Sequence, residues 1–132
     1  LSAAEKVNLS WDADVLSPAT SGNVIAHIPG KNPEKALILG GHLDSPNSPG
    51  AMDDGSGSAI TLETAVYLNN HKIQPELDLY LVWFGSEELG CRGSEAYVKQ
   101  HAAELEGMVG AELAGALAGI FAAVGVVALL AR

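Results

Sequence analysis

The run Leu77–Phe84 (LDLYLVWF) constrains the fold more than any other part of the sequence, because it is apolar or aromatic at nearly every position. Such a run is typical of a central parallel strand that is covered on both faces. A second apolar run, Ala36–Leu39, lies between turn signals and is typical of a buried strand. Between the two, residues Ser56 to Lys72 follow a helical period. This order predicts an α/β fold with a mainly parallel, mixed sheet and helices on both faces.

Weaker patterns extend this prediction toward both ends of the chain. We expect Ser56 or Ser58 to cap the central helix, whose mostly apolar face holds Ala59, Leu62, Ala65, Val66 and Asn69. The remaining predicted elements are strands at Val7–Trp11, Asn23–Ile28 and Gly107–Leu113 and a helix at Ser94–Ala103.

Composition excludes several classes of protein. Hydrophobic residues make up 48% of the 132 residues and charged residues 17%, which indicates one folded domain with a core. The net charge of −9 argues against nucleic acid as a partner, because phosphates attract a basic surface. Cys91 is the single cysteine, so neither an internal disulfide nor a cysteine-rich zinc module is expected. No charged-then-apolar leader follows Leu1, so no signal peptide is predicted.

The last part of the sequence has a different character. Leu113–Ala131 is uncharged over 19 residues, close to the roughly 20 residues that span a bilayer. Gly115 and Gly119 have the spacing of a close-packed helix, which fits a buried or a membrane helix. A third interpretation is that the segment is not native to this fold. We favour a buried or non-native segment over a membrane anchor.

Three polar clusters follow the predicted strands and helix boundaries. His42-Leu43-Asp44 ends the ALILGG strand, Asp53-Asp54 precedes the central helix, and Glu87-Glu88 follows the strand Leu77–Phe84. In α/β sheets, ligands bind beyond the carboxyl ends of the strands. Imidazole and carboxylate groups bind metals, and adjacent carboxylates repel one another until a cation relieves them. Of two neighbouring glutamates, one can bind metal while the other transfers protons.

Each cluster also has an ordinary structural interpretation. His-x-Asp fits a loop histidine beside a turn aspartate, the Asp pair fits a helix N-cap, and the Glu pair fits a solvated loop. The three clusters together, at three such positions, favour one metal site.

These residues also resemble a known family. NVIAHIPG, GGHLDS, GAMDDGSGSA and FGSEELGCRGSEAYV, from Asn23 to about Gly110, are similar to the zinc exopeptidases with a co-catalytic metal pair, such as bacterial leucyl aminopeptidases and glutamate carboxypeptidase. The resemblance divides the chain into a lead-in (1–22), a partial peptidase core (23–112) and an apolar tail (113–132). It also favours a secreted, periplasmic or extracellular location.

The resemblance implies a role for each cluster. His42 would bind one zinc, Asp44 would orient His42, and Asp53 would bridge two zinc ions. Glu88 would bind the second zinc, and Glu87 would be the general base for the attacking water. The resemblance further implies a cis peptide between Asp53 and Asp54.

The sequence departs from the family pattern at two ligands. Glu112 stands where the pattern has an aspartate, and it is the weakest of the four predicted ligands, His42, Asp53, Glu88 and Glu112. A histidine ligand far downstream has no counterpart in these residues, since His71 and His101 fall near predicted helix ends. We therefore expect one or two zinc ions, with a one-metal site favoured.

Three functions remain open from the sequence. The leading one is an aminopeptidase that hydrolyses N-terminal residues of peptides, with a site that these residues carry only in part. A single-zinc enzyme of the glutaminyl-cyclase type shares much of the site, and a non-catalytic domain of the same fold would explain the missing histidine. The sequence does not indicate the oligomeric state or the residue preferred in the substrate.

Overall fold

The computed structural model describes residue 10, residues 18–103 and residues 127–131. Within these ranges the elements in chain order are β1 (Val24–Ile28), β2 (Asn32–His42), α1 (Gly55–Asn70), β3 (Leu77–Phe84), α2 (Arg92–Gln100) and β4 (Val127–Ala131). The strands form one mixed sheet in the order β1-β3-β2-β4.

The parallel pair β2–β3 forms the centre of the sheet and carries the candidate site. Its register places His42 opposite Phe84, so both strands end at the same edge. β1 pairs with β3 and β4 pairs with β2, both antiparallel. The α/β fold with a mixed sheet is confirmed, and the strand predicted at Leu77–Phe84 has these bounds in the structure.

The two helices lie on opposite faces of β3. Trp83 donates a hydrogen bond from Nε1 to the Ser58 carbonyl at the start of α1 (3.1 Å), while the Phe84 ring meets the edge of Tyr97 on α2 at 5.9 Å. Consecutive strand residues point to opposite faces, so these two contacts assign one helix to each face. Apolar side chains of β2 and β3 fill the core between them: Ala36, Ile38, Leu79, Leu81, Val82 and Phe84.

Two expectations for the central helix were wrong. Asp54 caps α1, because its carboxylate accepts a hydrogen bond from the Gly57 amide, whereas Ser56 and Ser58 do not cap it. The predicted apolar face is exposed, with Leu62 at 56% and Val66 at 40%, and Thr61 is the buried residue of α1. A helix turns about 100° per residue. Because Thr61 is buried in place of Leu62, the face of α1 that packs on the sheet is rotated by about one residue from the predicted face.

Other boundaries differ by a few residues. β2 is longer than the predicted Ala36–Leu39, and α2 begins and ends before the predicted Ser94–Ala103. The strand predicted at Gly107–Leu113 and nearly all of that at Val7–Trp11 lie outside the described residues.

The apolar tail is described only at 127–131. These residues form a strand, so a helix through Ala131 was a wrong expectation; they pair with β2, which satisfies the backbone of that edge. In the described part of the chain, no helix combines the length and hydropathy needed to cross a membrane.

Candidate metal centre

His42 is fixed in place at the end of β2 by bonds to its main chain and its ring. Its amide donates to Asp54 Oδ2 (3.0 Å) and its carbonyl accepts from Ser58 Oγ (2.8 Å). Nδ1 lies 2.9 Å from the Asp44 carbonyl oxygen, which can only accept, so Nδ1 carries the proton. Nε2 is then the atom available to a metal, and it faces Asp53 Oδ1 at 2.9 Å.

The two adjacent aspartates have different environments. Asp54 is buried, and its carboxylate accepts from both Gly57 N (2.9 Å) and His42 N (3.0 Å). The Asp53 side chain is 81% exposed and faces His42. The peptide between the two aspartates is cis, as expected from the resemblance. Both earlier interpretations of the Asp pair therefore apply, with Asp54 as helix cap and Asp53 as candidate ligand.

Glycine makes the close packing around Asp54 feasible. A Cβ on Gly41 would lie 2.6 Å from Asp54 Oδ2, and one on Gly57 would overlap the same carboxylate. The absence of side chains at these two positions lets Asp54 join the end of β2 to the start of α1.

Glu87 and Glu88 follow β3 in a loop whose main chain is held by Asp44. The Glu87 amide donates to Asp44 Oδ1 (2.9 Å) and the Glu88 amide donates to Asp44 Oδ2 (3.1 Å). Glu87 Oε2 lies 3.8 Å from His42 Nε2. The loop thus brings both acidic side chains to the edge where His42 lies.

Three of the four predicted ligands lie close together. His42, Asp53 and Glu88 each offer one ligand atom, and these atoms lie within 4.8 Å of one another. Two ligands of a tetrahedral zinc at about 2.0–2.1 Å are separated by roughly 3.3 Å, so small side-chain shifts would bring the three to a shared ion. This donor set fits zinc. The fourth predicted ligand, Glu112, lies outside the described residues.

The electrostatics of His42 reflect a surplus of negative charge. Burial of the ring lowers the pKa of His42, but hydrogen bonds to Asp53 and the Asp44 carbonyl outweigh this effect. The charges of Glu87 and Asp54 add to the rise, so the pKa lies above its ordinary value of 6.5.

Glu88 shows the same surplus. Partial desolvation and then the charges of Asp53 and Glu87 raise the pKa of the Glu88 carboxyl. In the described part of the chain, Lys31 and Arg92 form their ion pairs elsewhere, with Glu76 and Glu95. Since no such cation neutralises the cluster, a metal ion would relieve its mutual repulsion.

One contact at the site differs in its atoms from a side-chain contact, and one residue was missed. Asp44, predicted to orient His42, contacts His42 Nδ1 through its main-chain carbonyl at 2.9 Å, whereas its carboxylate oxygen is 3.6 Å away. Asn23 was missed: its Nδ2 donates to the Gly93 carbonyl and its Oδ1 accepts from the Gly85 amide. Its position at the start of a strand, before a loop distant in sequence, gave no indication of this contact.

A mixed α/β sheet with a histidine and carboxylates gathered beyond its parallel strands is an arrangement that fits a metal-binding site. The profile of Peptidase family M28 matches residues 23–121, and the chain belongs to this family. The fold and the family are therefore those expected from the resemblance to zinc exopeptidases.

Individual relatives agree with this assignment. The chain is 48% identical over 83 residues to leupeptin-inactivating enzyme 1 of Streptomyces exfoliatus, covering 62% of this chain and 19% of the relative. It is 38% identical over 99 residues to carboxypeptidase Q of Bos taurus, covering 74% and 21%. The crystal structure of a peptidase M28 precursor from Shewanella amazonensis SB2B matches with a TM-score of 0.58 and 40% identity, covering 64% of this chain and 20% of that one. The chain thus spans about one fifth of the length of these relatives.

Proposed function

We propose that this chain carries the first part of a metallo-exopeptidase site that removes N-terminal residues from peptides. The observation that carries the proposal is the convergence of His42, Asp53 and Glu88, with Glu87 beside them. Relatives are named as an aminopeptidase of Pseudomonas aeruginosa and as carboxypeptidase Q, which supports peptide bonds as the substrate class.

The residues divide the work between binding and proton transfer. His42 Nε2, Asp53 and Glu88 would hold zinc, which when bound polarises the scissile carbonyl and acidifies water. Glu87 would take a proton from water and deliver it to the leaving amine; its distance of 3.8 Å from His42 Nε2, outside the ligand group, supports this role.

Metal loading and substrate preference together test the proposal. Chelator-treated protein would be titrated with zinc, and hydrolysis of leucine p-nitroanilide would be compared with that of an N-blocked dipeptide. We expect zinc-dependent release of p-nitroaniline and no cleavage of the blocked substrate. Cleavage of the blocked dipeptide alone would contradict an aminopeptidase.

The same titration separates the other candidate functions. One zinc with cyclisation of an N-terminal glutamine peptide would indicate an enzyme of the glutaminyl-cyclase type. Zinc binding without turnover of any substrate would indicate a non-catalytic domain. A secreted or periplasmic location also belongs to this proposal, and cell fractionation would test it.

A further inference from the structure

The carboxylate of Asp44 accepts its hydrogen bonds from the loop that carries Glu87 and Glu88. Oδ1 and Oδ2 accept hydrogen bonds from two consecutive amides, Glu87 N at 2.9 Å and Glu88 N at 3.1 Å. Donor and acceptor are 43 and 44 residues apart in the chain. A bidentate contact of this kind joins the end of β2 to the loop after β3 and fixes both the distance and the orientation of that loop.

The His42 ring does not require an aspartate at position 44. Its Nδ1 is bonded to the main-chain carbonyl of Asp44, a group that every amino acid offers, while Asp44 Oδ1 is 3.6 Å from Nδ1 and beyond hydrogen-bond distance. The two loop amides, in contrast, need an acceptor with two oxygens. The two loop amides therefore explain why a carboxylate stands at position 44.

The loop is also held at its base and has an unusual backbone. Asn23, the residue before β1, bonds both Gly85 and Gly93, so one side chain holds the two ends of the loop. Ser86 has a φ of 55° and Cys91 a φ of 58°, a left-handed region that non-glycine residues seldom adopt without support. Within the loop, the Glu87 carbonyl accepts hydrogen bonds from the amides of Gly90 (2.9 Å) and Cys91 (2.7 Å). Asp44 adds the contact that joins the Glu87 and Glu88 amides to the end of β2, next to His42.

We propose that Asp44 is a positioning residue whose carboxylate fixes the main chain of Glu87 and Glu88, and through it places the proton-transferring and metal-binding carboxylates. This inference deepens the proposed function and rests on it for its catalytic consequence. It predicts that removal of the Asp44 carboxylate moves the glutamates, while the His42 ring keeps its main-chain bond.

The test uses Asp44→Asn in the full chain, with Asp78→Asn as the matched control. Asp78 also accepts a main-chain amide, from Gly30 at 2.8 Å, but at the other end of β3. Amide hydrogen exchange would be measured at residues 87 and 88, with Leu81 in the core as the internal reference. We expect exchange at one or both loop amides to accelerate about tenfold in Asp44→Asn and to stay unchanged in Asp78→Asn. Unchanged exchange at both amides in a folded Asp44→Asn protein would overturn the proposal.

A second variant guards against loss of folding. If Leu81 also loses protection in Asp44→Asn, Asp44→Glu keeps the charge and displaces both acceptor oxygens, and we expect faster exchange at residues 87 and 88 with Leu81 still protected. Equal acceleration at all three positions in both variants would overturn the proposal, because the effect would then be global.

Kinetics distinguish positioning of the loop from orientation of the ring. Relative to Asp78→Asn, Asp44→Asn should lower kcat by about 10- to 100-fold with little change in KM, because the carboxylate of Glu87 is misplaced. Weaker zinc binding with unchanged exchange at the loop would overturn the proposal in favour of ring orientation. If the parent protein neither binds zinc nor hydrolyses peptides, the proposed function fails, and the exchange data alone decide whether Asp44 fixes the loop.

Discussion

Two histidine–aspartate pairs lie near opposite ends of β3; they have similar contact distances but differ in burial and in their neighbours. His42 Nε2 is 2.9 Å from Asp53, and His27 Nε2 is 3.0 Å from Asp78. The two pairs are separated by roughly 20 Å along the strands, at about 3.3 Å per residue.

In one pair the histidine is buried, and in the other the aspartate is buried. At the carboxyl end of the sheet, the histidine is buried and the carboxylate is 81% exposed. At the amino end, the Asp78 side chain is 8% exposed and that of His27 is 40% exposed. Asp78 also accepts from the Gly30 amide, and the His27 ring stacks on Tyr80 at 4.4 Å.

The comparison shows that a histidine–aspartate contact does not by itself define a metal site. Glu88 joins His42 and Asp53 to make a three-ligand group, and the described residues form no such group around His27. The His27–Asp78 pair is a structural contact between β1 and β3, whereas the His42–Asp53 pair belongs to a cluster with surplus negative charge. The following predictions test this difference, from the largest effect to the smallest.

The largest effect should come from Glu87→Gln. The amide keeps the shape of the side chain but cannot take a proton from water, so kcat should fall by on the order of 10²- to 10⁴-fold. Zinc affinity should stay unchanged, because Glu87 lies outside the ligand group. Steady-state kinetics and zinc titration would be compared with those of Glu63→Gln, an exposed glutamate on α1. Loss of zinc together with activity would make Glu87 a ligand instead.

The two histidines should respond differently to removal. Removal of a residue that hydrogen-bonds a metal ligand typically weakens metal binding by about 10- to 100-fold. Removal of the ligand itself in His42→Ala should therefore weaken zinc binding by at least about 100-fold. His27→Ala should leave the zinc affinity unchanged. Isothermal titration calorimetry measures both, and equal effects from the two variants would contradict the assignment of the site.

The adjacent aspartates should separate stability from metal binding. Asp54→Asn removes part of a buried acceptor for two amides and should lower the free energy of unfolding by about 1–3 kcal/mol. Asp53→Asn changes an exposed side chain and should alter it by less than about 0.5 kcal/mol while weakening zinc binding. Denaturant unfolding of the metal-free proteins checks both, and a reversed order would contradict the two roles.

The smallest effect concerns the pH dependence of the metal-free protein. The pKa of His42 is raised in the folded state, so the stability that its protonation contributes is fully present below the unfolded value near 6.5. That contribution is lost as the pH rises through the folded pKa. The free energy of unfolding, measured from pH 6 upward, should fall as this contribution is lost. In His42→Gln the free energy of unfolding should depend less steeply on pH. An identical slope in the variant would show that other groups cause the dependence.

The sequence predicted which residues gather at the carboxyl ends of β2 and β3, because the strand pattern and the motifs that follow the strands are local features of the sequence. The apolar run Leu77–Phe84 gave the central strand, and parallel pairing with β2 brought His42 to the same edge. The cap of α1 was less certain: the Asp pair, Ser56 and Ser58 all fit the start of a helix, and the packing of Asp54 beside Gly41 distinguishes them.

Contacts between distant segments were not predictable. The Asp44 carboxylate binds amides more than 40 residues away, and no periodicity records such a contact. The exposed face of α1 was mispredicted because Thr61, rather than the more apolar Leu62, faces the sheet. Glu112 lies outside the described residues and stays a prediction.

Anomalous diffraction at the zinc edge from zinc-loaded crystals tests the central claim most directly. We predict a peak bonded to His42 Nε2, with carboxylate oxygens of Asp53 and Glu88 at about 2.0–2.2 Å. A peak at His27 and Asp78, or no peak at either pair in zinc-saturated crystals, would contradict the assignment of the carboxyl edge as the metal centre.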